Sequence, residues 1–541
     1  MNISKHALIT LIAIVSIFFA VFVTQLSPHN ETKLRYIVQG TNIETVTKRI
    51  ENVGGTVSHD LAIINAVTVS LTESQKQNLL DYPQVSAIHP DRIIERGSAD
   101  ADDFGDDDDF DKDEALYPDS RYGEKVKANW LHDIGIDGSG VTIAFIDTGL
   151  DSKFEQLREN PKGYNRILAH YDATQGKQVN KPKDRSGHGS HVISIAVSSE
   201  WQEEQQQFAG VAPSANVVNV KALDRNGRGT YSDVIRGLDW VINNKTKFNI
   251  KVLNLSFSAP AQSLYWNDPL NQAVMAAWQA GIVVVASAGN AGPEDMTIGV
   301  PGNVPYIITV GAASDNKTPD INSDDKLAFF SSAGPTVEGF VKPEIVAPGG
   351  RLLGLMDDET VIAEAHENNF YQDEYFVMSG TSQATAVVSG VVALMLQQDP
   401  LLTPEQVKCR LMASANPAVT EQGELAYSVF QQGAGIANAY NAAHSDAENC
   451  ANMGLDIALD LQGEQHFSGP ARRDSEGNYY IEGSDQYHWN GDYASSEGYM
   501  WRDGYMWRDG YMWRDGYMWR DSAFPLNSQA AAVSVNEFVN D

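Results

Sequence analysis

The chain has 541 residues, 42% hydrophobic and 20% charged, which are globular proportions and exclude wholesale disorder and a multi-span membrane protein. Its 71 acidic against 39 basic residues give a formal net charge of −32, a surface that repels phosphate backbones and argues against nucleic acid as a partner. Two cysteines without C-x-x-C spacing exclude a disulfide-rich scaffold and suggest no zinc or thioredoxin-like site.

Lys5 and His6 precede an apolar run from Ala7 to Val23, interrupted by Thr10 and Ser16. A basic start followed by an apolar stretch is an export signal, so residues 1–27 read as a signal peptide, with a single membrane anchor as the alternative. On either reading the rest of the chain leaves the cytoplasm, for a secreted, extracellular or periplasmic destination.

Residues 32–97 read as a small α+β unit. Leu34–Val38 is a short strand, and Ile43, Val46, Ile50 and Val53 have helical spacing that Gly54-Gly55 ends. Val57–Leu61 and Ala66–Leu71 alternate as a strand pair, Ser74–Leu80 is a second helix and Val85–Ile88 a last strand. That order predicts a ferredoxin-like sheet. Residues 98–117 form an acidic linker. Between Asp100 and Glu114 ten acids face the single Lys112, which cannot bury a core and leaves an exposed, protease-accessible segment. The carboxylates lack the D-x-D-x-D-G spacing of a defined calcium loop.

Three short motifs carry the chemistry. Val141–Ile146 is a continuous apolar run, as in a strand buried on both faces, and it ends in Asp147-Thr148-Gly149. Sites in open α/β sheets form at that C-terminal edge. Gly187-His188-Gly189-Ser190-His191 opens a helix of small residues. Met378-Ser379-Gly380-Thr381-Ser382-Gln383-Ala384 precedes the apolar helix Val387–Leu396, so a serine sits at a helix N-terminus, where developing negative charge is favoured. A further strand, Ile282–Ala286, runs into Ser287-Ala288-Gly289-Asn290. Taken singly, an Asp at a strand end is a turn former, a lone His is satisfied structure and a Ser before a helix is an N-cap. Together, Asp then His then Ser is one of the chain orders in which a catalytic triad occurs.

These motifs resemble the subtilisin-like (S8) serine protease family closely, with support from Gly210–Pro213, Val220–Asp224, Asn254–Ser256, Lys342-Pro343 and Ala347–Gly349. Residues 32–97, notably Ala66–Val69 and Pro83–Ile88, resemble the inhibitor-type (I9-like) propeptide that precedes such proteases. The resemblance implies a mostly parallel, doubly wound α/β catalytic domain over residues 118–445. It also implies a self-inhibited precursor whose propeptide assists folding and caps the site. Ser382 would be the nucleophile, His188 the general base and acid, and Asp147 the group that orients the imidazole. Asn290, with the backbone N–H of Ser382, would bind the oxyanion.

By the same resemblance, Gly227, Gly229, Ser256, Phe257 and Ser258 would flank an extended substrate, and Ser287, Ala288 and Gly289 would line the pocket for the residue before the cut (P1). Ser258 stands where the family usually has glycine, which narrows the pocket entrance. With no acid marking its floor, apolar or aromatic P1 residues are expected. The serine motif continues Gln383-Ala384-Thr385-Ala386 where the family commonly has M-A-[AT]-P. His191 reads as structural, because a metal there would consume the base the triad needs. Catalysis needs no cofactor; structural calcium follows from family habit, with no ligands to name.

Residues 446–541 form a small β-rich extension. Cys409, on a helix opened by Thr403-Pro404-Glu405-Gln406, and Cys450 either pair in an oxidising compartment or stay as two thiols. The hexapeptide GYMWRD occurs four times between Gly498 and Asp521. Its Asp-Gly steps suit hairpin turns, giving a β-meander of Tyr-Met-Trp-Arg strands that could contact a glycan or a surface, or else a recently expanded repeat of local use. The reading is therefore an exported serine endopeptidase acting on proteins or peptides, with its own propeptide as inhibitor, in cis or also in trans. The alternative is a catalytically silent binding protein on the same fold that works through the aromatic repeat.

Overall fold

The computed structural model describes residues 31–96, 121–314, 325–371, 374–420, 424–483 and 488–492, and the backbone of 500–501 and 524–525. The signal or anchor, the acidic linker and most of the GYMWRD repeat lie outside the described residues. Two compact units emerge, one within Met1–Asp60 and Asn65–Pro90, the other of Leu61–Ile64 and Asp91–Asp541.

The first unit has four strands in the order Thr56–Leu61, Ala66–Leu71, Leu34–Gly40, Val85–Pro90. The helices Ile43–Asn52 and Glu73–Leu80 complete a ferredoxin-like chain order. Asn42 caps the first helix, and Thr72 with Gln75 forms a capping box on the second. Tyr36, Val38, Val46, Ile50, Val67 and Val69 make the core, the inward positions of strands and helices that the apolar spacing predicts.

The second unit is built on a nine-stranded sheet. Its central path runs Ile308–Ser314, Val283–Ser287, Ile250–Leu255, Thr142–Asp147, Asn216–Lys221, Ile167–Asp172, all parallel. Ile345–Pro348 joins Ile308–Ser314 in parallel, and the short strands Lys326–Leu327 and Lys177–Gln178 add antiparallel edges. Every residue of Thr142–Asp147 is buried. That burial requires cover on both faces, which explains the run of β-branched and aromatic residues there. The helices His188–Val197 and Thr381–Gln398 pack on each other and on the sheet, while Tyr231–Phe248 and Pro269–Gln279 form a second packed pair. Thr381–Leu396 is buried throughout, so the serine motif leads into a core helix.

The C-terminal extension is stitched into this unit. The antiparallel strands Ala471–Arg473, Tyr479–Ile481 and His488–Trp489 place Tyr479, Ile481 and Trp489 in one apolar cluster with Ala333, Val341 and Phe430. The described piece of the repeat, Met500–Trp501, pairs antiparallel with Ala418–Val419. Among the described residues no helix is long and apolar enough to cross a membrane.

Candidate active site

Asp147 ends the central strand with its side chain fully buried, and its Oδ1 lies 2.7 Å from Nδ1 of His188, the first residue of its helix. An ionised carboxylate only accepts, so this contact puts the imidazole proton on Nδ1 and leaves Nε2 as the basic nitrogen. Nε2 has no hydrogen-bond partner among the described residues. Ser382 is the second residue of the helix Thr381–Gln398. Its Oγ donates to the Ser256 carbonyl oxygen at 3.1 Å, and no hydrogen bond joins it to His188. Catalytic hydrogen bonds often tighten only when substrate is bound.

A carboxylate that the sequence did not single out holds these motifs together. Asp184 is buried and accepts from the backbone N–H of Ser186 (3.1 Å), Gly187 (3.0 Å) and Ser190 (2.8 Å). It also accepts from the hydroxyls of Thr148 (2.9 Å) and Ser190 (2.9 Å). The Thr148 hydroxyl in turn accepts from Gly189 N–H at 2.9 Å. A carboxylate at the start of the His188 helix satisfies otherwise orphaned donors and complements the helix dipole. An Asp four residues before a candidate base was the available signal.

Asn290 Oδ1 accepts from both the backbone N–H (3.0 Å) and the hydroxyl (2.8 Å) of Thr381. Its carbonyl end is thereby held by the start of the serine helix. Ser256 Oγ donates to the Ser382 carbonyl at 3.0 Å and accepts from Asn254 Nδ2 at 2.9 Å, while Ser389 donates to Asn254 Oδ1 at 2.9 Å. Asn254-Leu255-Ser256 thus anchors the serine helix to a strand end.

The expected flanking segments enclose part of this same unit. The strand Ile93–Arg96 lies antiparallel between Arg228–Thr230 and Phe257–Ser258, with Glu95 opposite Arg228 and Ser258, Ile94 opposite Gly229, and Arg96 opposite Phe257. Arg96 N–H donates to the Gly227 carbonyl at 2.8 Å. Gly227 has φ +76°, and a Cβ there would meet Arg96 Cδ at 2.5 Å, so both backbone and contact require glycine. Upstream, Tyr231 N–H donates to the Arg92 carbonyl (2.9 Å), and Asp91 accepts from Ser232 N–H (2.9 Å). The residue opposite Arg96 is next to Ser256, whose carbonyl accepts the Ser382 hydroxyl.

A cavity of about 410 Å³ opens beside Asn290 and Ser258, walled by Thr297, Ile298, Gly299 and Thr336. Ser287 and Ala288 are buried, with Ser287 Oγ donating to the Phe257 carbonyl at 3.0 Å. The Ser258 hydroxyl sits against Gly299 and 3.1 Å from where a Cβ on Gly289 would be.

The profile of the subtilase family (peptidase S8) matches residues 138–435. The chain belongs to that family. It is 38% identical over 312 residues to the serine protease AprX of Bacillus subtilis, covering 57% of this chain and 67% of that protein. To subtilisin E of the same organism it is 30% identical over 425 residues, 76% of this chain and 94% of that protein. Among solved structures, fervidolysin from Fervidobacterium pennivorans, described as a keratinolytic enzyme related to subtilisin, superposes with a TM-score of 0.58 at 20% identity. That likeness covers 79% of this chain and 63% of fervidolysin, and it speaks for the fold. This subtilase is a subtilisin-like serine endopeptidase with an α/β fold.

His191 is occupied within this subtilase: Nε2 contacts the Phe376 carbonyl oxygen at 2.9 Å, and burial pushes the imidazole down to about 4. Trp201–Gln202 pairs with Gln207–Phe208 as a short hairpin. No group of three or more His, Cys, Asp or Glu side chains converges among the described residues, so no ligand set is assigned to calcium. Cys409 and Cys450 are joined as a disulfide, with Cα atoms 5.2 Å apart.

Proposed function

We propose that this subtilase cleaves polypeptides through Ser382, His188 and Asp147, and that it is made as an exported, self-inhibited precursor. The buried 2.7 Å contact between His188 Nδ1 and Asp147 Oδ1, at the mouth of a helix that opens with His188, carries the reading. Ser382 Oγ attacks the substrate carbonyl as Nε2 takes its proton. Collapse of the tetrahedral intermediate returns that proton to the leaving amine and leaves an acyl-enzyme, which water hydrolyses by the same route. Asn290 Nδ2 and the N-terminal end of the serine helix stabilise the oxyanion.

The antiparallel seating of Ile93–Arg96 supports self-inhibition, since the chain's own strand takes the place of an extended substrate. Maturation then cuts just beyond Arg96, at the start of the linker. The apolar run Ala7–Val23 supports export, and the disulfide suits an oxidising destination. The test is the intact mass of the purified precursor after incubation, beside Ser382→Ala prepared identically. Wild type should lose roughly its first hundred residues and the variant should stay whole. Two precursors that both stay whole under folding conditions would favour a silent binder, and equal cutting of both would point to a contaminating protease.

A further inference from the structure

A cavity of about 730 Å³ borders the cleft strand on the Arg228–Thr230 side, and its charge runs against that of the protein. Lys181, Lys183, Arg185 and Arg225 line it, all exposed and without an acidic partner among the described residues. With Lys221 and Arg228 the lining carries six cations against three acids, so its balance is positive. Asp172 accepts from Thr174 and Gln175, Asp224 from the backbone N–H of Asn226 and Arg228, and Asp233 pairs with Arg236 at 2.5 Å. Four unpartnered cations around one cavity repel each other, and an anionic ligand relieves that repulsion.

The strand in the cleft supplies the second observation. Successive side chains of an extended segment alternate sides, and here Ile94 is buried while Ile93 and Glu95 are exposed. Ile93 borders the cavity. Glu95 Oε1 accepts from Arg228 Nε at 2.8 Å and lies 2.6 Å from its terminal nitrogen, and Arg228 itself lines the cavity.

We propose that the cleft selects polypeptides with acidic side chains upstream of the cut, at the positions that Ile93 and Glu95 take. Arg228 reads the nearer carboxylate, and Lys181, Lys183, Arg185 and Arg225 supply the field for the farther one. The proposal rests on the protease reading above and names the substrate class of that same site. A single exposed ion pair contributes little and is screened by salt, so selectivity comes from the concentrated positive field and is salt-sensitive.

The test uses the matured enzyme and internally quenched peptides built on the Ile93–Arg96 frame. They differ only at the Ile93 and Glu95 positions: both Glu, both Gln, or both Lys. At low ionic strength kcat/KM should favour Glu over Gln by about tenfold and place Lys last, and about 0.5 M salt should bring the ratios toward one. An Arg225→Gln, Arg228→Gln double variant should flatten the Glu-to-Gln ratio. Because each ratio compares two peptides on one enzyme, a general loss of activity does not move it, and the wild-type comparison decides even if the variant misfolds. A wild-type ratio near one with the Gln peptide cleaved overturns the charge selectivity and leaves the protease reading standing. No cleavage of any peptide overturns both, and an unchanged ratio in the double variant overturns the assignment to Arg225 and Arg228.

Discussion

Thr148 Oγ1 donates to Asp184 Oδ1 at 2.9 Å, tying the residue after Asp147 to the loop that delivers His188. Because the same carboxylate accepts from Gly187 and Ser190, one side chain ties together the segments that carry Asp147 and His188, two residues of the proposed triad. Asp184→Asn keeps the shape but replaces one acceptor oxygen with a donor that faces other donors. We expect kcat to fall about 10–100-fold with KM little changed, since small misplacement of reacting groups costs on that scale. Steady-state kinetics alongside a thermal midpoint would check it. A full kcat in a folded variant would remove Asp184 from the positioning role.

Ser258 sets a second expectation. Its hydroxyl lies against Gly299 at the wall of the cavity beside Asn290, where a glycine would leave open space. Ser258→Gly should raise kcat/KM for an aromatic P1 residue relative to alanine by about tenfold, the scale on which pocket volume discriminates. Matched peptides with Phe or Ala at P1 measure the ratio in both enzymes. An unchanged ratio would mean that Ser258 does not limit the pocket.

Local signals made part of this legible. Val141–Ile146 announces a strand buried on both faces by its composition, and the strand and helix spacing of residues 34–88 predicts the ferredoxin-like unit within a residue or two. The strand Ile93–Arg96 is a different case. Ile-Ile-Glu-Arg is too short and too charged to stand alone, and its neighbours Arg228–Thr230 and Phe257–Ser258 come from far along the chain. Asp184 was hidden for the same reason. An Asp among Lys183 and Arg185 looks like a polar loop until Thr148, 36 residues away, is brought to it. The aromatics of the C-terminal extension have no amphipathic period, so the sequence does not show where they pack. Their partner Phe430 belongs to another segment, and only packing reveals it.

The disulfide closes a separation of 41 residues between the helix Pro404–Ala413 and the segment at Cys450. Chain-entropy reasoning for a loop of that size gives about 4 kcal/mol as the upper figure for Cys450→Ser. The loss should be smaller than that, because the unfolded chain without the bond keeps residual structure that the entropy figure leaves out. Denaturant unfolding in a Ser382→Ala background, which removes self-digestion, measures the difference. No change at all would show that the bond adds nothing to stability there.

Glu338 is buried in the loop that carries Thr336, and its Oε1 accepts the backbone N–H of Tyr265 at 2.7 Å. Burial is the largest influence and pushes the carboxyl from 4.5 up to about 6. The folded state therefore holds the proton more tightly than the unfolded chain. Below pH 4.5 the group is protonated in both states and its contribution is fully present. As pH rises through about 6 the folded protein must ionise a buried carboxyl, and that contribution, about 2 kcal/mol, is lost. Glu338→Gln keeps the acceptor for Tyr265 but cannot ionise. In the Ser382→Ala background the two proteins should have matching stability near pH 4, and the Gln variant should be more stable, by up to about 2 kcal/mol, above about pH 6.5. Denaturation midpoints across that range check the sign as well as the size. Parallel curves at every pH would mean that Glu338 does not titrate differently in the folded and unfolded states.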